Sequence, residues 1–155
     1  MKFFCKIFGK SKIWLYLCFV KLQNHKAMKT IKVLLINPAN QTVTQIEIEN
    51  SLQGIYKAMD CRMFECPVEL PNGDAVYCDE EGKLNREKLI GGFTYPKAWN
   101  DIVMNKALVI GTNHNTGASV DCKSTPAEIL NSKEWGRIAW SPKHLAEKYL
   151  DEIGF

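Results

Sequence analysis

"CRMFECPVELPNGDAVYCDEEG", residues 61–82, reads as two strands joined by a tight turn. Phe64, Cys66, Val68 and Leu70 alternate with Met63, Glu65, Pro67 and Glu69. A period of two places one apolar row on one face of a strand. Asn72-Gly73 is a two-residue hairpin signal, because both residue types tolerate positive φ. Val76 and Cys78 carry the apolar row back along the return strand. Pro67 lacks an N–H for a ladder, so it marks a bulge or an edge position. An antiparallel pair in the middle of the chain is therefore expected, and it ends at the acidic run "CDEEG".

That run and its sequel, "YCDEEGKLNREKLIGG" (77–92), gather acids, glycines and basic residues in one short segment. Calcium and phosphate chemistry both fail on spacing. With Gly82 as the glycine of a calcium-binding EF-hand loop, Tyr77 would occupy the first ligand position. A phosphate-binding P-loop needs GxxxxGK[ST], and Gly82-Lys83 lacks the upstream glycine and the following Ser or Thr. A solvated turn is expected instead, and Gly91-Gly92 reads as a second turn.

Working outward, "KTIKVLLINP" (29–38) is a short run rich in β-branched residues, and "TVTQIEIE" (42–49) alternates, with Ile46 and Ile48 opposite Glu47 and Glu49. Val43 is out of phase. The two form a hairpin across "ANQ". Asn50 or Ser51 caps a short helix whose apolar stripe is Leu52, Ile55, Tyr56 and Met59, although Gly54 speaks against a helix interior. Ala107–Ile110 reads as a buried strand, and Trp99–Met104 before it as either a short helix or an extended segment. Thr125, Pro126 and Glu128 spell a capping box with proline at the first helical position. In "SPKHLAEKYLDEIGF", Ser141 caps and Pro142 begins an amphipathic helix with Leu145, Tyr149, Leu150 and Ile153 on one face and Gly154 at its end. The expected fold is α+β: a small, mainly antiparallel sheet with short helices on one face and a C-terminal amphipathic helix.

The composition, 46% hydrophobic and 24% charged over 155 residues, fits one globular domain. The net charge of +3 is unevenly placed. Residues 1–27 carry six lysines and no acid, while 28–155 carry 14 basic and 17 acidic side chains. The body is mildly acidic, so nucleic-acid binding is not expected of it. Within the N-terminal extension, "IWLYLCFV" (13–20) is eight apolar residues long, against about 20 needed to span a bilayer. An over-extended start before Met28, a basic arm and an export signal remain open readings of 1–27. The domain is expected over 28–155, with 122–155 a helical tail. Of six cysteines, Cys61, Cys66, Cys78 and Cys122 lie in the body without CxxC pairing, so reduced thiols in a cytoplasmic protein are expected, with no metal and no cofactor.

"IKVLLINP", "DEEGKLNR" and "DIVMNKALVIG" (101–111) together resemble the DUF3846 family, over roughly residues 29–115. The family pattern has a "KVLVIEPG"-type first strand, an "NEEGK" turn followed by an Asn-Arg pair, and a "DIIxGxxLIxG" strand. Asp79–Lys83, Asn85-Arg86 and Asp101–Gly111 correspond. Two departures stand out. Leu84 alone separates the turn from Asn85-Arg86, and Asn105 sits where the family commonly has glycine. The resemblance implies a phage, plasmid or other mobile-element context and no particular reaction.

No catalytic constellation can be assembled from the sequence, although a pairing of His114 with Cys78 or Cys122 is left open. Binding candidates fall in two groups. Asn113, His114 and Asn115 occupy a polar loop, and Tyr95, Trp99, Trp135 and Trp140 are aromatics in turn-rich segments of the kind favoured at interfaces. The expected function is a non-catalytic interaction protein with a protein partner, self-association being open. The alternatives are a small-ligand or nucleotide-processing domain using the 111–117 loop, and nucleic-acid binding through the basic N-terminal arm.

Overall fold

The computed structural model describes residues 29–155. The readings of residues 1–27 therefore lie outside the described residues.

β1 (Thr30–Asn37) and β2 (Thr42–Glu49) form the expected hairpin, paired from Thr30↔Glu49 to Asn37↔Thr42. Two further strands make the second expected hairpin, β3 (Phe64–Glu69) and β4 (Asp74–Asp79). β7 (Ala107–Thr112) lies between the two hairpins, antiparallel to β1 and to β4. The strand order is β2-β1-β7-β4-β3, with β8 (Ser119–Val120) also on β7.

The central hairpin differs from its sequence reading in two ways. Leu70 N–H donates to the Asp74 carbonyl and Gly73 N–H to the Leu70 carbonyl, so the loop holds three residues, Pro71, Asn72 and Gly73. Only Gly73 takes positive φ, at 90°, which is a turn with proline at its second position followed by a glycine bulge. The pairing register also shifts between Glu65 and Val68, around Pro67, on the sheet's edge strand. One extra residue reverses the parity of the strand. Phe64 therefore packs on one face, beside Tyr77, and Val68 on the other, beside Val76; Cys66 is exposed.

The sheet is buried on both faces. Ile31, Val33, Ile48, Leu108 and Ile110 lie under α1 (Leu52–Met59), which contributes Ile55 and Met59. Burying each of these side chains stabilises by about 1.5–3 kcal/mol. Ser51 caps α1 by accepting from Gly54 N–H at 3.0 Å, while Leu52 of the expected stripe is exposed. Leu34, Ile36, Val43, Val76, Cys78 and Val109 form the opposite face, which explains why Val43 is out of phase with its strand. Here the cover is Phe93, Tyr95, Ile129 and Ile138, so the helices divide between the two faces. Ile129 belongs to α2 (Pro126–Leu130), whose capping box forms as expected between Thr125 and Glu128.

A second sheet completes the domain: β11 (Ala139–Pro142), β5 (Gly91–Thr94) and β6 (Val103–Met104), in that order. β9 (Asn131–Ser132) and β10 (Gly136–Arg137) form a small ribbon beside it. Gly91-Gly92, read above as a turn, opens β5. A Cβ on Gly92 would lie 2.7 Å from the Val103 carbonyl oxygen, so glycine is needed for the approach of β6. Ser141 and Pro142 are strand residues paired with Gly92 and Gly91, and α3 (Lys143–Ile153) begins after them without a side-chain cap. Ala146 and Leu150 of α3 bury against Leu89 and Met104, whereas Leu145 and Ile153 are exposed. The α+β class with mainly antiparallel sheets is what the chain forms. No helix among the described residues is long and apolar enough to cross a membrane.

Candidate functional site

The acidic turn closes on itself. Asp79 accepts from Glu81 N–H at 3.0 Å, and the chain runs through a 3-10 turn at Arg86–Lys88 into β5. Lys83 is anchored to Asp101 at 2.5 and 2.7 Å, and Tyr149 of α3 donates to the same carboxylate at 2.7 Å. Burial works against the Asp101 charge, but the bonds from Lys83 and Tyr149 outweigh it and hold the carboxyl below its ordinary range. These three groups fasten the turn to the β5–β6 connection and to the C-terminal helix.

Between that turn and the edge strand lies a cleft of about 280 Å³. Pro67, Val68, Trp99, Ile102, Val103 and Met104 form apolar walls, and Glu65, Asp79 and Glu80 add carboxylates. Among the described residues none of those three carboxylates is in an ion pair, in contrast to Asp101. Asp79 is partly buried. Burial raises its pKa most; the bond from Glu81 N–H lowers it, the Glu81 charge raises it again, the Lys88 and Arg62 charges lower it, and the net direction is up. Ionised Asp79 thus costs folding free energy that is relieved as pH falls through its raised folded-state value. Asp79→Asn is expected to raise the urea midpoint at neutral pH, an effect that fades in acid.

Cys78 lies in the cleft, where burial, followed by the Glu65 charge, pushes its thiol up to about 12. Burial and Asp74 likewise push Cys122 up to about 12, and burial and Asp79 push Cys61 up to about 11. Since the thiolate is the nucleophile, these positions are chemically quiet at neutral pH. Alkylation of the native protein at pH 8, mapped by mass spectrometry, is expected to label exposed Cys66 well before Cys78 or Cys122, and unfolding should abolish the difference.

The sequence-derived candidates fall into two separate places. Tyr95, Trp99 and Trp135 pack edge-to-face with centroids 5.2–5.5 Å apart, and Phe93 links Tyr95 to Trp140. Tyr95 is fully buried and donates to the Ile129 carbonyl; the tryptophans are half-buried against the core. These aromatics therefore roof one sheet face, and Trp99 also lines the cleft. Its indole N–H is buried and has no acceptor among the described residues.

Asn113, His114 and Asn115 lie at the other end of the sheet, after β7. The Asn113 backbone oxygen accepts from Thr116 and Gly117 N–H, its side-chain oxygen accepts from Asn115 N–H, and Thr116 Oγ1 accepts from Ala118 N–H. The His114 ring sits over Gly73, where a Cβ would come within 2.6 Å of Nε2. Cys78 is at the far end of β4, about 16 Å from Gly73 at the rise of a strand. No hydrogen bond joins His114 to Cys78 or Cys122 among the described residues. The Cys122 thiol instead donates to Asp74 at 3.3 Å.

Sequence reasoning missed Glu65, Asp79, Glu80 and the apolar wall from Ile102 to Met104. The unpaired acids in "CDEEG" were a signal, but the partner wall comes from residues roughly twenty further along. Asn105, the departure noted above, takes φ of 65°, accepts from Ile90 N–H at 3.0 Å and donates its own N–H to Gly91. Asparagine is among the residues that adopt this left-handed region most readily, which accounts for its standing in place of glycine.

Neither the curated proteins nor the solved structures contain a match to the chain. The family model described as "Domain of unknown function (DUF3846)" matches residues 31–130, from the first strand through α2, and the chain belongs to that family.

Proposed function

We propose that this protein is a non-catalytic interaction module that binds a protein partner stoichiometrically in the cytoplasm. We take its setting to be the phage or other mobile element that the family resemblance implies, with a host protein or defence complex as the target. The cleft beside β3 carries this reading. It joins an aromatic and aliphatic wall to three unpaired carboxylates, while the thiol within it is held protonated. Buried aromatics rimmed by charge are the usual anchors of protein recognition.

The 111–117 loop favours a nucleotide less. An anion cradle needs free backbone N–H groups. In 113–118 the N–H groups of Asn113, Asn115, Thr116, Gly117 and Ala118 all have acceptors within the loop, which leaves only that of His114. The third reading, through the basic arm, rests on residues outside those described.

Native mass spectrometry of the protein purified gently from its host tests the proposal. A complex of fixed stoichiometry with a protein is expected, and His114→Ala should leave it intact. A small-molecule adduct, with turnover abolished by His114→Ala, would replace the proposal with the loop reading. The same spectrum reports whether the chain self-associates.

A further inference from the structure

Resting on the reading of this protein as a protein-binding module, we infer that the cleft receives a cationic side chain, Lys or Arg, of the partner protein. The cleft sits between the β3–β4 hairpin and the β5–β6 connection. Its volume of about 280 Å³ lies just below the ~300–1,000 Å³ of pockets that enclose drug-sized molecules, so its occupant is small. A long aliphatic stem ending in a charge fits the division of the lining. Pro67, Val68, Ile102 and Val103 meet the stem, and Glu65, Asp79 and Glu80 meet the head.

Charge bookkeeping points the same way. Lys83, the one basic residue in the lining, is consumed by Asp101, so the cleft keeps three carboxylates and no free cation among its lining residues. Elsewhere on the turn the acids are already served: Glu81 pairs with Arg62 at 3.3 Å. Burial raises the Asp79 pKa despite the nearby Lys88 and Arg62 charges, which lower it, and a further cation in the cleft would lower it again. Trp99 also lines the cleft, and indole is the preferred aromatic group for an ammonium or guanidinium ion. Glu65 and Glu80 are exposed, so both carboxylates are accessible to an approaching cation.

The test titrates the full chain with blocked tripeptides, acetyl-Gly-X-Gly-amide, followed by ¹H–¹⁵N NMR. X is Arg or Lys, or the neutral length-matched citrulline or norleucine. The Arg and Lys peptides are expected to shift the Val68, Glu80 and Lys83 amides and the Trp99 indole saturably, at least tenfold more tightly than the neutral peptides. The double variant Glu65→Gln/Glu80→Gln, altered only at exposed positions, should keep its thermal midpoint and lose at least tenfold in affinity for the cationic peptides. Neutral peptides binding as tightly as cationic ones would overturn the inference, as would affinity unchanged in the variant. Tighter binding of n-butylamine than of either cationic peptide would also overturn it, in favour of a free amine ligand. In each of these cases a partner complex seen by native mass spectrometry would leave the interaction reading standing, whereas absence of any complex would defeat that reading separately.

Discussion

Asp74→Asn is expected to destabilise the fold by about 3 kcal/mol, the cost of disturbing a buried, fully bonded carboxylate. For a domain of this size that lowers Tm by about 10 °C, measurable by calorimetry. Asp74 is completely buried at the start of β4, just after the hairpin turn. Its carboxylate accepts from Ser124 N–H at 2.7 Å, Ser124 Oγ at 2.6 Å, Lys123 N–H at 3.1 Å, Asn72 Nδ2 at 3.2 Å and the Cys122 thiol at 3.3 Å. An amide in its place brings two N–H groups towards a ring of donors. Burial opposes the charge, but the bonds from Ser124, Lys123 and Cys122 outweigh it and hold the pKa below the ordinary value. A depressed folded-state pKa means that the unfolded chain binds the proton more readily. The stabilisation is therefore complete above the unfolded value, near 4, and is lost as pH falls through the folded value. Wild type should lose stability over that acid window, and Asp74→Asn should lose less, so the two curves converge at low pH.

Gly54→Ala is expected to destabilise by about 3 kcal/mol, at the upper end of the cost of overpacking. Helix propensity alone argues for the opposite sign, since Ala exceeds Gly by about 1 kcal/mol in a helix interior. The deciding observation is that a Cβ at position 54 would lie 2.1 Å from the Glu49 carbonyl oxygen. The obstacle is backbone of β2, so no side-chain rotation relieves it, and α1 must lift from the sheet that Ile55 and Met59 cover. Urea denaturation should show a lower midpoint with little change in slope. A midpoint raised by the substitution would mean that α1 packs less closely on β2 than described.

Gly54 also shows how far the chain is legible before folding. As a residue it weakened the reading of a helix that does form, because the reason for it is a contact with another element. Local signals were sound: the β1–β2 alternation, the Thr125–Glu128 capping box and the β3–β4 pairing all have their structural counterparts. Errors arose where one residue changed parity or where strands meet only in three dimensions. The bulge around Pro67 sent Phe64 and Val68 to opposite faces, although alternation had put them together. β5 and β11 are four residues each, too short for a periodic signal, and they pair across more than forty residues of chain. The candidate site was readable only in halves, an acidic turn and a lone Trp99, because its walls come from three separate segments.

The position of β7 bears on how the chain comes to be folded at all. β7 is the middle strand of the main sheet, yet it follows both hairpins in the order of synthesis. Until residues 107–112 leave the ribosome, the inner edges of β1 and β4 have no partner, and each hairpin is only marginally stable alone. The search that seats β7 joins segments some seventy residues apart, which makes the step slow relative to local hairpin closure. During that interval two apolar strand edges are open to other chains. Nascent chains of this protein are thus most prone to aggregate before the last third is made, and cooling during expression should raise yield by slowing association of those unfinished sheets.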